Sequence, residues 1–160
     1  MISATVLLIA FLGTMGLVLE NAFRSSALAA LNGRLLQQVY GLLSVTEDND
    51  MTVLLPPALT DPLMNQLGSG HFGLVLDDRG TLVWRSQSAM DQALPSELVA
   101  ALDETVATGV PRAGVVSDGS DKLRYLAYRV QWLGERHTGL YDYVVMEQST
   151  LLEAEVEGFR

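Results

Sequence analysis

The chain contains no cysteine, and its 160 residues include only two histidines and 10 basic residues. The absence of cysteine excludes disulfides, thiolate metal sites and cysteine nucleophiles, but it does not identify the compartment. Two histidines far apart in the sequence do not favour a histidine-based metal site or a catalytic triad. With 19 acidic residues and a formal net charge of −9, the chain also lacks the basic surface that a nucleic-acid-binding protein needs to neutralise phosphates.

A long uncharged run opens the chain. Residues 2–19 contain no charged side chain, and eighteen helical residues span about 27 Å, close to the thickness of a bilayer's hydrocarbon core. A cleaved signal peptide is the alternative, but no basic residue precedes the run. We therefore predict a transmembrane helix over residues 1–20. The missing basic flank suggests that the chain begins partway through a longer protein, and it leaves the membrane orientation undetermined by charge.

For residues 21–48 we predict a second segment, a long amphipathic helix that continues the first. Its apolar residues follow a three-and-four spacing along one stripe. Such a stripe packs on the following domain, on a second copy of the helix, or on both, and the sequence does not separate these options. We predict a homodimer, because a lone helix leaving a membrane gains most by pairing its leucines. The dimer residues are then Leu28, Leu31, Leu35 and Leu42.

An acidic cluster follows this helix. Glu47, Asp48 and Asp50 lie close together, and clustered carboxylates suit a hard cation such as Ca²⁺ or Mg²⁺. Their spacing matches no EF-hand loop, and a solvated loop that ends the helix is the favoured interpretation. A divalent cation is the only cofactor that the sequence brings into question.

We predict that residues 49–150 form one α+β domain, an antiparallel sheet with flanking helices. Its centre is a β-hairpin at 74–86, whose turn Asp77-Asp78-Arg79-Gly80 combines an Asx start with a glycine suited to positive φ. The nearly all-apolar arms predict a place in the middle of the sheet, and the order of elements predicts helices on one face. The other strands are predicted at 51–55, 113–116, 123–133 and 140–147, and helices at 59–67, 95–107 and 151–159.

Two groups of side chains are candidate sites within this domain. Ser69 and His71 are close in sequence, but neighbours rarely have the geometry of a nucleophile and its base, so no catalytic residue is predicted. A ligand pocket between sheet and helix would involve Tyr125, Tyr128 and Arg129. The alternative is that both tyrosines belong to the core and that the arginine is solvated.

A short pattern within the domain is similar to a known family. The residues are Leu55-Pro56, Asp61-Pro62, Gln66, Gly68-Ser69-Gly70 and Leu82-Val83-Trp84-Arg85-Ser86. They resemble the extracytoplasmic sensor domain of PhoQ-type bacterial two-component histidine kinases. The resemblance implies a PAS-like (PDC) fold in the periplasm, anchored in the inner membrane by two transmembrane helices, the second reached through residues 151–160. A kinase part and a cytoplasmic response regulator would complete the pathway, so this chain would sense and transmit but not phosphorylate.

The chain departs from that family in its acidic residues, which are dispersed rather than gathered in one patch facing the membrane. Divalent-cation sensing is therefore not carried over. Two alternatives remain open. A sensor module of a chemoreceptor or cyclic-dinucleotide enzyme would differ only in the domain attached after residue 160, whereas a pilin-like assembly subunit would have Glu at the fifth helix position, where this chain has Thr5.

Overall fold

The computed structural model describes residues 2–103, 107–119, 121–135 and 137–149. The helices are α1 (Ile2–Ser44), α2 (Ser96–Asp103) and two short 3-10 helices, Pro62–Asn65 and Gln87–Ala89. The strands are β1 (Glu47–Asp48), β2 (Val53–Leu54), β3 (His71–Asp77), β4 (Leu82–Arg85), β5 (Pro111–Asp118), β6 (Asp121–Leu133) and β7 (Thr138–Gln148). The predicted C-terminal helix lies outside the described residues. Contacts divide the chain into two units, Met1–Arg34 and Leu35–Arg160.

The first unit is the N-terminal part of α1. This helix contains a segment long and apolar enough to cross a membrane, with a mean hydropathy of 1.9 and none of that segment buried. Large apolar side chains such as Leu17 and Phe23 are exposed along it. Glu20 and Arg24 form an exposed ion pair one helical turn apart, at 3.7 Å. The predicted boundary at residue 20 is not a break in the helix, which continues to Ser44.

The second unit is built on a five-stranded antiparallel sheet in the order β4-β3-β7-β6-β5, which confirms the α+β class. The hairpin turn forms as predicted. The Asp77 carboxylate accepts hydrogen bonds from the backbone N–H of Arg79 at 3.0 Å and Thr81 at 2.8 Å, and Gly80 has φ +74°. The predicted central position is wrong for β4, which is an outer strand of the sheet. Its residues are only half-buried, because β4 pairs with β3 alone, whereas β3 lies between β4 and β7.

Helices cover both faces of this sheet, so the prediction of helices on one face is wrong. On the α2 face, Leu98 and Leu102 pack with Leu74, Leu76, Val144 and Met146. On the α1 face, Leu35, Val39 and Leu42 pack with Val75, Tyr143 and Val145. The physical reason is that β3 and β7 carry apolar residues at successive positions, and successive side chains point to opposite faces. Both faces therefore need a cover.

The connection between α1 and the sheet contains two small elements. The strand predicted at 51–55 is reduced to β2, which pairs antiparallel with β1. The short helix predicted at 59–67 forms as the 3-10 helix Pro62–Asn65, where Asp61 is the N-cap and its side chain accepts from the Leu63 N–H at 3.0 Å. This cap satisfies a donor that the first helical turn leaves without a backbone partner.

Candidate functional site

The acidic residues predicted as cation ligands have different surroundings. Glu47 and Asp50 are exposed. Asp48 lies in β1, where its Oδ1 is 2.8 Å from His137 Nδ1 and accepts a hydrogen bond from Trp132 Nε1 at 3.2 Å. Within the described parts of the chain, no group of three or more His, Asp or Glu side chains is placed to hold a metal ion. Cation binding here stays the less favoured of the two interpretations.

His137, between β6 and β7, lies between two hydrogen-bonding partners. Its Nδ1 is 2.8 Å from both Asp48 Oδ1 and the Asn49 carbonyl oxygen. Both are acceptors, so in the neutral ring Nδ1 carries the proton, and Nε2 accepts from the Tyr141 hydroxyl at 3.1 Å. An Asp–His–hydroxyl relay can activate a nucleophile, but Tyr141 is buried in the α1-face cluster. The network therefore connects β1 to the β6–β7 hairpin.

His71 has a carboxylate partner of its own, on the neighbouring strand. His71 is the first residue of β3, and its Nε2 is 3.4 Å from Glu147 Oε1 in β7, the residue opposite it in the sheet. Both side chains are buried. The hydroxyl of Ser69 donates to the Leu63 carbonyl oxygen at 2.6 Å, so the serine does not act with the histidine ring as a nucleophile and base. This buried pair lies at the end of β7 that leads to the C-terminal segment.

The three residues predicted to line a ligand pocket do not share one face of the sheet. Tyr125 is buried in the α2-face cluster, where its ring lies so close to Gly114 that a Cβ at that position would be 2.7 Å away. Tyr128 is on the α1 face and contacts Tyr40 edge to face, with 5.8 Å between ring centroids. Arg129 is on the α2 face. Alternation along β6 therefore separates Tyr128 from the other two.

Arg129 forms a bidentate ion pair with Asp142. Its Nε and Nη2 donate to Asp142 Oδ1 and Oδ2, both at 2.7 Å, and Nη2 also donates to the Leu102 carbonyl oxygen at 3.1 Å. Asp142 is buried. This arginine therefore joins the end of α2 to β6 and β7, and it is not the solvated residue that the sequence allowed.

The leucines predicted to form a dimer seam are used unequally. Leu35 and Leu42 are buried in the α1-face cluster of their own chain. Leu31 is also buried, whereas Leu28 remains partly exposed. The C-terminal part of the stripe thus contributes to the core of the second unit, so packing on a second copy alone is excluded for Leu35 and Leu42.

The end of α1 is attached to β7 by a chain of hydrogen bonds. The Tyr143 hydroxyl donates to Thr46 Oγ1 at 3.1 Å, and the Thr46 hydroxyl donates to the Leu42 carbonyl oxygen at 2.8 Å. Burial of Tyr143 raises its pKa above the usual 10.0, partly opposed by the bond to Thr46. We call Leu42, Thr46 and Tyr143, together with Asp48 and His137, the α1–β7 junction. It is the strongest candidate for a functional element in this chain.

The raised pKa of Tyr143 predicts a specific alkaline instability. Between pH 10 and the folded-state pKa, the unfolded chain has lost a proton that the folded chain keeps, so the free energy of unfolding falls as the pH rises through this window. Below pH 10 this contribution is fully present. Tyr143→Phe should remove it, at a cost of about 1 kcal/mol for the lost hydrogen bond. Urea unfolding of both proteins from pH 7 to pH 11 measures this, and a difference between them that is independent of pH would contradict the assignment.

Comparison with known proteins identifies no relative: no protein family, no curated protein and no solved structure matches this chain. The resemblance carried by residues 55–86 therefore stays an expectation. The functional conclusion depends on the geometry of the α1–β7 junction.

Sequence reasoning missed the partners of both histidines and of Arg129. Each partner lies on a different strand or in a different loop: Glu147, Asp48 and Asp142. No spacing in the sequence indicates these pairs, because they depend on the pairing of β3 and β6 with β7 and on the position of β1. Given that register, the pairs of His71 with Glu147 and of Arg129 with Asp142 are direct consequences, since each partner is the residue opposite.

Proposed function

We propose that this chain is the periplasmic sensing domain of a transmembrane two-component sensor histidine kinase in a bacterial inner membrane, active as a homodimer. The observation that carries the proposal is the α1–β7 junction. The helix that contains the membrane-spanning segment ends in the domain core, and it is bonded there to the strand that leads to the C-terminal segment. The chain's two connections to the membrane would thus meet on one strand.

The architecture supports this proposal. A PAS-like domain consists of an antiparallel sheet with flanking helices, and the second unit has an antiparallel five-stranded sheet with a helix on each face. The residues that carry the family resemblance fall in structural positions here: Asp61 is a helix N-cap, and Ser86 is buried beside β3. The pattern therefore reflects the fold rather than a reaction.

The proposed mechanism is a shift between two packings of α1 on the sheet. A stimulus that binds one packing more tightly shifts the population toward it. The close packing of Leu35, Val39 and Leu42 against β3 and β7 favours discrete arrangements over gradual deformation. A displacement of α1 moves Thr46, which is hydrogen-bonded to Tyr143 in β7. The movement of β7 is then transmitted to the C-terminal segment that follows it. The kinase part of the full protein then phosphorylates a cytoplasmic response regulator.

The pilin-like alternative shares one feature with this chain, a long helix whose C-terminal part packs on an antiparallel sheet. It differs in chemistry at the helix start, where Thr5 stands in place of the expected glutamate. Bonds between the helix and the sheet fit either class, so the residue at the fifth position is what favours the sensor.

The proposal is tested with the full-length protein from its own gene, assayed for autophosphorylation with ATP in membrane vesicles. Thr46→Val keeps the side-chain volume but removes the hydroxyl that accepts from Tyr143, so the basal rate should change about threefold or more, for roughly 0.7 kcal/mol or more of coupling. Ser44→Ala is the matched control. It also removes a hydroxyl bonded to a backbone carbonyl, that of Gly41, and it should leave the rate unchanged.

The two possible failures are distinct. Absence of any phosphorylation by the wild-type protein would reject the kinase. An active kinase in which Thr46→Val behaves as wild type would retain the sensor and reject the α1–β7 junction as its transmission route.

A further inference from the structure

β5 forms one outer edge of the sheet, because β6 is the only described strand with which it pairs. It is eight residues long, whereas β4, at the opposite edge, has four. A long strand at an edge presents a row of backbone N–H and C=O groups that another extended chain can bind, and proteins normally protect such a row. The extent of that protection on β5 determines whether this edge can accept a partner.

The outer edge of β5 is closed at both ends. Near the end of the strand, the Ser117 N–H donates to Glu97 Oε2 in α2 at 2.9 Å, so the backbone groups of Ser117 point away from β6. Residues of an antiparallel strand direct both backbone groups alternately toward and away from the paired strand, so Ala113 and Val115 also point theirs away. Pro111, the next in this series, has no N–H to donate.

Between these two ends the edge is open. Within the described ranges, no acceptor is bonded to the N–H of Ala113 or of Val115 on this outer side. Both residues are exposed, Val115 to 49%. The cover that α1 gives to this face of the sheet ends at β6, where Tyr128 and Val130 are half-buried at the margin of the α1-face cluster. The opening therefore combines free backbone donors with uncovered small side chains.

Basic side chains border the opening, in a chain whose formal net charge is −9. Arg124 and Lys122 in β6 lie opposite Val115 and Ser117, and residues directly opposite in a sheet share a face. Lys122 is exposed and Arg124 half-buried. Neighbouring strands are about 4.8 Å apart, so both long side chains can reach across the smaller residues of β5 toward its outer edge. A carboxylate on an added strand would meet them there.

We propose that the outer edge of β5 binds an extended segment of a partner protein whose side chains are carboxylates at alternate positions. Backbone hydrogen bonds to Ala113 and Val115 would supply affinity, as in other cases where a peptide adds a strand to a sheet edge. The alternate side chains on the α1 face would supply selectivity through Lys122 and Arg124. Glu97 closes the site at Ser117, so the bound segment extends from Val115 toward the start of β5.

This interaction surface goes beyond the proposed sensor and does not depend on it. In the sheet order, β6 separates β5 from β7, so an added strand leaves the α1–β7 junction uncovered. Binding and kinase activity are measured separately, and either result stands without the other.

The first test uses the full chain in detergent micelles and three short synthetic peptides with fluorescent labels, followed by fluorescence anisotropy. In the first peptide glutamate alternates with valine, in the second lysine replaces the glutamates, and in the third the same glutamates and valines are grouped in two blocks. The alternating glutamate peptide should bind at least about tenfold more tightly than either of the others, because it alone matches both the period of a strand and the charge of the site.

Val115→Pro tests the backbone contacts. Proline at an edge position whose N–H points away from the neighbouring strand leaves the ladder to β6 intact, but it removes a donor and places its ring in the path of an added strand. Binding of the alternating glutamate peptide should weaken about tenfold or more. Val115→Thr is the matched control, since it keeps the N–H and the branched shape, and it should bind within about twofold of wild type. Cooperative unfolding in urea verifies the fold of both variants.

Arg124→Gln tests the charge and does not rely on the proline variant. It should weaken binding of the alternating glutamate peptide about threefold or more. Arg79→Gln is the matched control, because Arg79 is exposed in the turn between β3 and β4, away from β5, and it should leave binding unchanged.

Each other outcome overturns the proposal. The same affinity for all three peptides, no binding of the alternating glutamate peptide, or full binding by Val115→Pro would show that this edge does not accept an added strand. Loss in Val115→Pro without loss in Arg124→Gln would overturn the acidic chemistry of the partner. Self-association of the wild-type chain that Val115→Pro abolishes in the absence of peptide would assign the edge to a second copy instead.

Discussion

Leu35→Ala is expected to destabilise the second unit by about 3 kcal/mol, in the range found for leucines truncated inside a well-packed core. Leu35 is 0% exposed and packs in the α1-face cluster. Removing its terminal carbons takes contacts away from β3 and β7 and leaves a cavity, which a helix held on a rigid sheet fills only in part. The change also tests whether α1 is part of the domain or merely precedes it.

Leu28→Ala is the matched control, since the same atoms are removed from the same helix at a residue that is 39% exposed. Its expected cost is below about 1 kcal/mol. Urea unfolding followed by tryptophan fluorescence measures both variants, because Trp84 and Trp132 pack against the α1-face cluster and report directly on it. Equal losses for the two variants would contradict the packing of α1 on the sheet.

Asp142→Ala is expected to have an effect of similar size, about 3 kcal/mol, for a different reason. The substitution leaves the Arg129 guanidinium with its positive charge in a largely buried place and without the carboxylate that accepts two of its hydrogen bonds. Breaking one side of a buried ion pair costs more than the pair contributes, because the remaining charge stays desolvated. The bond from Arg129 to the Leu102 carbonyl oxygen should persist.

The double variant Arg129→Met, Asp142→Leu separates charge from packing. Both new side chains are apolar and of comparable length, so the double variant should recover at least about half of the stability lost in Asp142→Ala. Thermal or urea unfolding of the three proteins measures this. If Asp142→Ala loses less than about 1 kcal/mol, or if the double variant is less stable than the single one, the account of an uncompensated arginine is wrong.

Together these results would separate two roles of the helices. Leu35 tests the packing of α1 on one face of the sheet, and the pair of Arg129 with Asp142 tests a buried ion pair between β6 and β7 on the face that α2 covers. The sheet between them is shared, and β7 contributes to both faces through Val144 and Val145. A displacement of either helix therefore reaches the same strand, as the proposed sensor requires.

Local physical chemistry let the sequence alone determine several elements of this protein. The apolar run at the N-terminus predicts a helix able to cross a membrane, and the structure contains one. The turn at 77–80 was predictable because aspartate side chains bond to backbone amides two residues away, whatever surrounds them. The shared face of Leu126, Tyr128, Val130 and Trp132 results from the two-residue period of a strand.

Only the tertiary structure decided what covers each apolar surface. The leucine stripe of α1 was visible in the sequence, but an amphipathic pattern shows that a face is buried and not which neighbour buries it. Leu35 and Leu42 pack on one face of the sheet, and α2 covers the opposite face. The partner of His71 was likewise hidden, because β7 pairs with β3, a strand more than sixty residues earlier in the chain. The partner of His137 was hidden because Asp48 lies in β1, far from it in the sequence. Such long-range pairing depends on the packing of the whole domain, which no local pattern encodes.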